Sequence, residues 1–391
     1  MSFMNILGRA LLCLIALYQT TGHTQTLPQT QPQHTPITIP SPPQLQARSY
    51  VLMDAHSKQL LAAHDADTPI HPASLTKMMT AYVAFMEIKA GRLHMTDTAR
   101  ISEKAWSTQG SKTFVEVGNE VAVSDLLHGI ITQSGNDASV ALAEHIAGTE
   151  ESFADLMNAQ ARRLGMKHSH FTNASGLPHE NHYSTAYDLA LLGAALALDF
   201  PEFYKLFSEK EFTYHGIRQY NRNSLLWGAD GVDGIKTGHT EEAGYCLVAS
   251  ALRHNMRLVA SVIGTSSEKQ RAQEASALLN YGFRFFETRK LYPAGHVLAH
   301  LPVRKGTAWQ VPVGLLHDLF LTYPKGSYGK LQAFLELQRR VRAPVKEETP
   351  VGQLRVQLGK QDLLKKPVFT LKNIPESSWL GRRLDDLLFW R

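Results

Sequence analysis

The sequence predicts an α+β (or α/β) sandwich, in which helices flank an antiparallel sheet, followed by a small all-β domain and a C-terminal amphipathic helix. Strand-like runs at residues 50–63 and 245–265 enclose a series of helical patterns, as in a sheet covered by helices. From residue 291 the pattern changes to short alternating runs separated by turn residues, which is typical of an all-β unit. The 391 residues suffice for two such domains.

Composition indicates a folded, soluble chain, with 43% hydrophobic and 19% charged residues. The formal charge is +5, and Lys and Arg are scattered without a long basic block. This distribution predicts no nucleic-acid partner.

The N-terminus predicts an export signal over residues 1–25, with cleavage near residues 22–26. Arg9 precedes a short apolar run, Ala10 to Tyr18, and a polar stretch follows. The alternatives are an uncleaved anchor or a buried N-terminal helix. Cys13 lies inside this signal, so Cys246 has no partner for an internal disulfide in the mature chain. Residues 26–47, rich in Gln, Pro and Thr, predict a flexible linker.

The predicted catalytic domain covers residues 48–290. Its first element is a hairpin around a turn at 54–57, and a helix then begins near Pro72 and ends at Gly91. Two helical stretches within 124–149 are interrupted by Ser134-Gly135-Asn136. Further elements are helices at 151–165 and 185–197, the second with Thr185 as a possible cap, a hairpin at 245–265 and a long helix at 269–288.

The all-β domain is predicted over residues 291–375 and the amphipathic helix over 376–391. Apolar side chains fall at helical spacing in this last segment, among them Trp379, Leu380 and Leu384. Its charges balance, three basic against three acidic. We expect it to attach to a membrane surface, the alternative being that it packs on the β domain.

Three Ser-x-x-Lys pairs occur, and position distinguishes them: Ser74/Lys77, Ser266/Lys269 and Ser327/Lys330. Only Ser74 stands at the head of a strongly apolar helix, near the positive end of the helix dipole. Ser74 could nevertheless be a helix cap and Lys77 a solvated amine.

Two further motifs follow in order along the chain. Ser134 and Asn136 flank a glycine between helices, where both could face a cleft. The alternative is an ordinary helix start with Ser134, Asn136 or Asp137 as the cap. Lys236-Thr237-Gly238 lies on a predicted strand, where a cation and a hydroxyl could hold a carboxylate. Gly238 would leave space for a ligand's backbone, although an edge strand with a protective lysine is the alternative.

Together these motifs resemble those of class A β-lactamases and penicillin-binding proteins. With Ser-Gly-Asn as its second motif, the chain resembles more closely the exported D-alanyl-D-alanine carboxypeptidases among the low-molecular-mass penicillin-binding proteins. The stretches FTYHGIRQYNRNSLLW and VDGIKTGHTEEAGYCLVAS are also similar to theirs. The resemblance covers about residues 48–380 and implies a β-lactamase/transpeptidase-like catalytic fold.

The resemblance implies a role for each motif residue. Ser74 would be the acylated nucleophile and Lys77 its base. Ser134 would relay a proton to the leaving amine, and Asn136 would hold the substrate amide. Lys236 and Thr237 would hold the terminal carboxylate of the substrate. The backbone N–H groups of Ser74 and His239 would form the oxyanion hole. Arg222 and Arg271 would be cleft arginines.

The base requires a perturbed lysine. An ordinary lysine has a pKa near 10.4 and is protonated at neutral pH. Burial and a nearby cation both lower the pKa of a lysine. We expect Lys236, across the cleft, to be that cation.

The implied activity is removal of the terminal D-alanine from peptidoglycan stem pentapeptides, with β-lactams as inhibitors, in cell-wall biogenesis and cell shape. The enzyme would act in the periplasm on the outer face of the cytoplasmic membrane. Rivals are a β-lactamase, for which residues 137–235 lack a Glu-x-x-Leu-Asn segment, an endopeptidase that cuts cross-links, and a non-catalytic wall-binding protein. We expect no cofactor.

The remaining candidates predict no further chemistry. The histidines at 167–170 and 179–182 lack a helical metal-binding spacing, so we expect solvated loop residues and no metal. Cys246 is predicted to be a buried, inert thiol. Asp233 is expected to be a turn or hydrogen-bonding residue.

Overall fold

The computed structural model describes residues 39–380, 382 and 383. The predicted signal, most of the linker and residues 381 and 384–391 of the predicted terminal helix lie outside this range. Residues 40–288 form one compact unit, and the described residues from 289 onward form another.

The catalytic unit is built around one antiparallel sheet. Its strands in chain order are β1 (Ser49–Asp54), β2 (Leu60–His64), β3 (Thr98–Arg100), β4 (Glu120–Ala122), β5 (Glu211–Tyr214), β6 (Ile217–Tyr220), β7 (Val232–Thr240), β8 (Gly244–Arg253) and β9 (Met256–Thr265). The sheet runs in the order β2-β1-β9-β8-β7, so β7 is an edge strand. The short pairs β3–β4 and β5–β6 stand apart from it; these two pairs are not in the sequence-based prediction.

Helices precede, follow and connect these strands. They are α1 (Lys77–Lys89), α2 (Glu103–Ser107), α3 (Val123–His128), α4 (Asn136–Ala147), α5 (Glu150–Leu164), α6 (Ala186–Asp199) and α7 (Glu268–Phe285). Short 3₁₀ turns lie at Ala73–Thr76, Tyr204–Ser208 and Ser224–Trp227, and a π-helical turn lies at Gly129–Gln133. Thr185 caps α6 by accepting from the Asp188 N–H, as its position predicted.

Two glycines show that helices cover both faces of the sheet. A Cβ on Gly193 of α6 would meet Val259, whereas a Cβ on Gly282 of α7 would meet Leu258. Consecutive residues of a strand point to opposite faces, so α6 and α7 pack on opposite sides of β9. Burial of nearly every β9 residue follows from this. The predicted sandwich of sheet and helices is confirmed.

The described part of the predicted linker, residues 39–47, forms hydrogen bonds with α7. The backbone N–H groups of Gln46 and Ala47 donate to the Glu274 carboxylate at 2.9 and 3.0 Å. The Tyr281 hydroxyl donates to the Pro40 carbonyl at 2.9 Å. These residues have no helix or strand, as predicted, but their polar contacts fix their path.

The second unit is all-β, as the alternating runs predicted. Its strands are β10 (Phe286–Tyr292, entering from the first unit), β11 (Val297–Arg304), β12 (Gln310–Gly314), β13 (Leu319–Pro324), β14 (Leu331–Leu337), β15 (Val341–Arg342), β16 (Pro350–Leu358) and β17 (Gln361–Thr370). One sheet has the order β14-β16-β17-β12-β11-β15, and β10 pairs with β13. The alternating runs predicted from the sequence correspond to β11–β14, β16 and β17, whereas β10 and β15 are additional strands.

The segment after β17 begins a helical turn. The Arg382 N–H donates to the Ser378 carbonyl at 3.0 Å, the spacing of an α-helix. The rest of the predicted amphipathic helix is not described. Within the described residues, no helix is long and apolar enough to cross a bilayer.

Candidate active site

Ser74 lies in the 3₁₀ turn that leads into α1, and it is half-buried. The residue that caps α1 is Thr76, and no side-chain capping bond is formed there. Ser74 is therefore not the helix cap. Its hydroxyl oxygen instead lies 3.1 Å from the Lys77 amine.

Lys77 is buried at the start of α1, with 1% of its surface exposed. Its amine donates to the Asn136 amide oxygen at 2.7 Å and to the Ser175 carbonyl at 2.6 Å. Both oxygens can only accept, so they take two N–H groups. A neutral amine has only two N–H groups, so its single lone pair is left to accept the hydrogen of the Ser74 hydroxyl.

The surroundings of Lys77 favour this neutral form. The pKa of Lys77 is lowered to about 7, mainly by burial and also by repulsion from the Arg222 cation, while the Asp137 carboxylate acts in the opposite direction. Arg222 is thus a neighbouring cation that sequence reasoning did not connect with Lys77. Lys77 in turn is one of the causes that lower the pKa of Lys236, so the two buried lysines repel each other, as expected for a cation across the cleft.

Ser134 ends the π-helical turn in the left-handed conformation, with φ at 68°. Its hydroxyl is buried and has no hydrogen-bond partner among the described residues. A buried hydroxyl without a partner is costly and is retained most readily where a ligand completes it. Gly135 follows, and a Cβ there would collide with the Thr113 hydroxyl.

Asn136 has two partners within the protein. Its amide nitrogen donates to the Gln109 carbonyl at 2.6 Å, and its amide oxygen accepts from Lys77. The side chain therefore positions Lys77. An amide group has a second N–H, so the contact with the substrate amide stays a prediction.

Asp137 organises the loop that faces this motif. Its buried carboxylate accepts the backbone N–H groups of Thr113, Phe114 and Val115, at 2.8, 2.9 and 3.3 Å. The loop in turn contains the Gln109 carbonyl that binds Asn136. Sequence reasoning considered Asp137 only as a possible helix cap, because nothing in the pattern indicates which distant backbone it binds.

Strand β7 carries the third motif at the edge of the sheet. Lys236 and Thr237 are both buried, and the Lys236 amine donates to the Thr237 carbonyl at 3.2 Å. Burial is the main cause that lowers the pKa of Lys236, and the cations of Lys77, Arg222 and Arg271 add to it. An incoming carboxylate would reverse this effect.

Gly238 brings β7 against the Ser74 turn. A Cβ on this residue would lie 3.1 Å from both the Pro72 carbonyl oxygen and Leu75 Cγ. On this side the glycine meets the turn that carries the nucleophile, and its contact with a ligand's backbone stays a prediction. The glycine sets the distance between the third motif and Ser74.

The remaining predicted binding residues lie on both sides of β7. The His239 ring is exposed and stacks on Tyr245, with centroids 4.1 Å apart. Arg271 of α7 is buried; it donates to the Gly238 carbonyl at 3.5 Å and pairs with Glu268 at 3.2 Å. Arg271 therefore supports the strand from behind, whereas Arg222 is exposed.

A buried histidine, which sequence reasoning missed, supports the Ser74 turn. The His182 ring lies 2.8 Å from the Thr76 hydroxyl through Nε2, and Nδ1 accepts the Thr172 N–H at 3.1 Å. Burial lowers the pKa of His182 to about 4. The expectation of solvated loop histidines is wrong for this residue, because it fills the space behind the turn.

The other two Ser-x-x-Lys pairs and Cys246 form no part of the site. The Ser266 hydroxyl donates to Gln270, and the Ser327 hydroxyl donates to the Pro324 carbonyl. Both are ordinary turn contacts, so the Ser266/Lys269 and Ser327/Lys330 pairs do not form a second site. Burial raises the pKa of the Cys246 thiol to about 11, as predicted for an inert thiol.

Asp233 has the predicted structural role, since its two oxygens accept from Arg257 at 2.8 and 2.7 Å. No group of three or more His, Cys, Asp or Glu that could hold a metal is found within the described ranges.

Comparisons with known proteins cover nearly all of this architecture. A family model described as D-alanyl-D-alanine carboxypeptidase matches residues 37–267, and one for the penicillin-binding protein 5 C-terminal domain matches residues 286–376. The chain is 43% identical to D-alanyl-D-alanine carboxypeptidase DacA of Escherichia coli strain K12, over 89% of this chain and 88% of that protein.

Solved structures agree. Penicillin binding protein 5 from Haemophilus influenzae is 42% identical, with a TM-score of 0.82, over 86% of this chain and 99% of that one. The ampicillin-bound form of penicillin-binding protein D2 from Listeria monocytogenes is 29% identical, with a TM-score of 0.57, over 61% of this chain and 98% of that one. The resemblance seen in the three motifs is thus confirmed, and the chain belongs to the D-alanyl-D-alanine carboxypeptidase family of serine peptidases, among the low-molecular-mass penicillin-binding proteins.

Proposed function

We propose that the chain removes the terminal D-alanine from peptidoglycan stem pentapeptides through an ester on Ser74. One observation carries this assignment. A buried lysine amine, whose two carbonyl partners occupy its N–H groups, directs its lone pair at the Ser74 hydroxyl 3.1 Å away. A lysine with a pKa of about 7 is partly neutral at physiological pH and can act as a general base.

Acylation then proceeds as follows. Lys77 takes the Ser74 hydroxyl proton while Oγ attacks the carbonyl carbon of the bond between the two D-alanines. The oxyanion is held by the backbone N–H groups of Ser74 and His239, and one such donor contributes roughly 3–4 kcal/mol. The C–N bond breaks, and the leaving amine receives a proton through the hydroxyl of Ser134. Water then hydrolyses the ester.

The substrate carboxylate belongs beside the third motif. Lys236 and Thr237 offer an amine and a hydroxyl, and burial together with the neighbouring cations lowers the pKa of Lys236. A bound carboxylate would raise that pKa again, so binding and charging of Lys236 are coupled. Arg222, which is exposed, adds positive charge to the approach.

β-Lactams would acylate the same serine. Similarity to a protein solved with ampicillin bound supports this. The direct test is release of D-alanine from a synthetic pentapeptide by the wild type and by Ser74→Ala. Release by the variant at the wild-type rate would overturn the proposal, and rapid turnover of penicillin in place of a lasting adduct would favour a β-lactamase.

We further propose export to the periplasm through the residues 1–25 signal, attachment to the membrane surface through residues 376–391, and a role in cell shape. Trp379 and Leu380 are 59% and 67% exposed at the start of the terminal segment, which supports attachment. Deletion of residues 378–391 should move the protein to the soluble fraction. Retention in the membrane fraction would contradict attachment through this segment.

A further inference from the structure

The two units of the chain carry opposite charge. Residues 39–288 contain 21 Lys and Arg against 27 Asp and Glu, a formal charge of −6. Residues 289–383 contain 17 Lys and Arg against 6 Asp and Glu, a formal charge of +11. The modest total of +5 conceals this difference. A charge of +11 on a unit of this size indicates an anionic partner for the β domain.

Part of this charge gathers where the terminal segment leaves the β domain. The end of β11 pairs in parallel with β15, which places Arg304 beside Arg342. The Ser377 N–H donates to the Lys305 carbonyl at 2.8 Å. The β14–β15 connection adds two more arginines at the same end of the sheet. We call this surface the basic end: Arg304, Lys305, Arg339, Arg340 and Arg342.

Strand register confirms that the basic end is one end of the sheet. Leu337, at the end of β14, pairs with Gly352 near the start of β16, whereas Leu331 pairs with Leu358 at the opposite limit. The seven residues of β14 separate the two ends by roughly 20 Å. Arg339 and Arg340 therefore lie about 20 Å from the β16–β17 turn that holds Lys360.

Three arginines of the basic end have no acidic partner among the described residues. Arg339, Arg340 and Arg342 are exposed and form no ion pair with any carboxylate of the described residues. The acidic residues at this end are Glu347 and Glu348, in the β15–β16 connection, and Glu376, which pairs with Arg382 at 2.8 Å. The five cations of the basic end outnumber them. Adjacent like charges cost stability in the free protein, and an anionic partner would relieve that cost.

Exposed aromatic side chains accompany these cations. The Val303 N–H donates to the Trp309 carbonyl at 2.8 Å, which places Trp309 at the end of β11 with 61% of its surface exposed. Trp379 follows the segment bound to Lys305. Trp side chains concentrate at the boundary between water and lipid. Leu380, 67% exposed, has a purely apolar side chain, which favours a lipid surface over a wall polymer.

We propose that the basic end is a membrane-facing surface of the folded β domain that selects anionic phospholipid headgroups. It supplies an electrostatic attraction that the charge-balanced segment 376–391 lacks. A single amphipathic segment binds membranes marginally, and a second, cationic signal makes attachment stable. This inference rests on the membrane attachment proposed above and adds the site and the lipid class.

The test compares binding of the full mature chain to vesicles of phosphatidylcholine alone and of phosphatidylcholine with an equal part of phosphatidylglycerol. The variant replaces Arg339, Arg340 and Arg342 with Gln. The control replaces Lys325, Lys330 and Lys360 with Gln, an equal charge change at the opposite end. Acylation by labelled penicillin should be unchanged in both, which shows that the catalytic unit is folded, and an unchanged far-ultraviolet circular dichroism spectrum shows the same for the β domain.

We expect the arginine variant to bind the anionic vesicles at least about tenfold more weakly at low salt, and the control to change less than about threefold. Equal weakening in both would mean that total charge acts and would overturn the assigned surface. No preference of the wild type for anionic vesicles would overturn the lipid selectivity alone. Absence of any vesicle binding would refute membrane attachment as well, and arginine-dependent capture by purified peptidoglycan instead would assign the surface to the wall polymer.

Discussion

Lys77 and Asn136 are joined by a 2.7 Å hydrogen bond in which the lysine amine donates to the amide oxygen. The amide nitrogen is fixed in turn by the Gln109 carbonyl. This arrangement directs the amine toward Ser74 and makes Asn136 a positioning residue.

Replacing Lys77 with Ala should reduce acylation by labelled penicillin by roughly 10²–10⁴-fold, because the general base is lost. Lys236 remains intact in this variant, so the experiment separates the two buried lysines. The matched control is Lys269→Ala, which removes the exposed lysine of the Ser266/Lys269 pair. Full acylation of Lys77→Ala would disprove its role as the base.

The rate of acylation should rise with pH and level off above a midpoint near 7, where Lys77 loses its proton. Removal of the Arg222 cation by Arg222→Gln should raise the pKa of Lys77 and move the midpoint to higher pH. Because Arg222 is exposed, added salt should weaken this effect. Arg218→Gln, which removes another exposed arginine, serves as the control, and an equal shift in both variants would contradict the assignment.

Asn136→Asp should move the same midpoint to higher pH. A carboxylate placed 2.7 Å from the Lys77 amine stabilises its charged form and raises its pKa. Acylation at pH 7 should fall accordingly and recover in alkaline buffer. Asn119→Asp, at an exposed position, should leave the profile unchanged. A rate loss in Asn136→Asp that is constant with pH would instead favour a contact with substrate.

Asp137→Asn should destabilise the catalytic domain by about 1–3 kcal/mol, because an amide cannot accept all the backbone N–H groups that the buried carboxylate binds. Urea unfolding measures the change. Asp155→Asn, at an exposed position of α5, should alter the free energy of unfolding by less than about 0.5 kcal/mol. Equal stability of the two variants would show that Asp137 does not anchor the loop.

Stability should also fall as the pH drops from 6.5 toward 4, since the unfolded chain protonates His182 near 6.5 and the folded chain only near 4. A proton on Nδ1 would break its bond to the Thr172 N–H. The His182 contribution is about 3 kcal/mol across this window at most. His182→Gln should flatten the dependence, whereas His145→Gln, at an exposed position, should not. Identical pH dependence in wild type and His182→Gln would exclude this role.

Sequence patterns predicted the fold well, because periodicity follows from which faces are buried. The hairpin at β8 and β9, the helix capped by Thr185 and the alternating runs of the β domain are each local signals. The pairs β3–β4 and β5–β6 escaped prediction because they are short and lie at the surface.

The three motifs predicted the chemical groups of the site but not their contacts. The Ser175 carbonyl, which binds Lys77, and His182, which supports Thr76, come from a loop about 100 residues away in sequence. A backbone carbonyl has no sequence signature. For the same reason the bonds of Asn136 to Lys77 and to the Gln109 carbonyl could not be predicted.

The most direct measurement is mass-spectrometric peptide mapping after acylation by labelled penicillin across pH 5 to 9. We expect a single adduct on Ser74, with an acylation rate that rises with pH through a midpoint near pH 7 as Lys77 becomes neutral. An adduct on any other residue would contradict the assignment of the nucleophile. An adduct on Ser74 whose rate is independent of pH would contradict the neutral lysine.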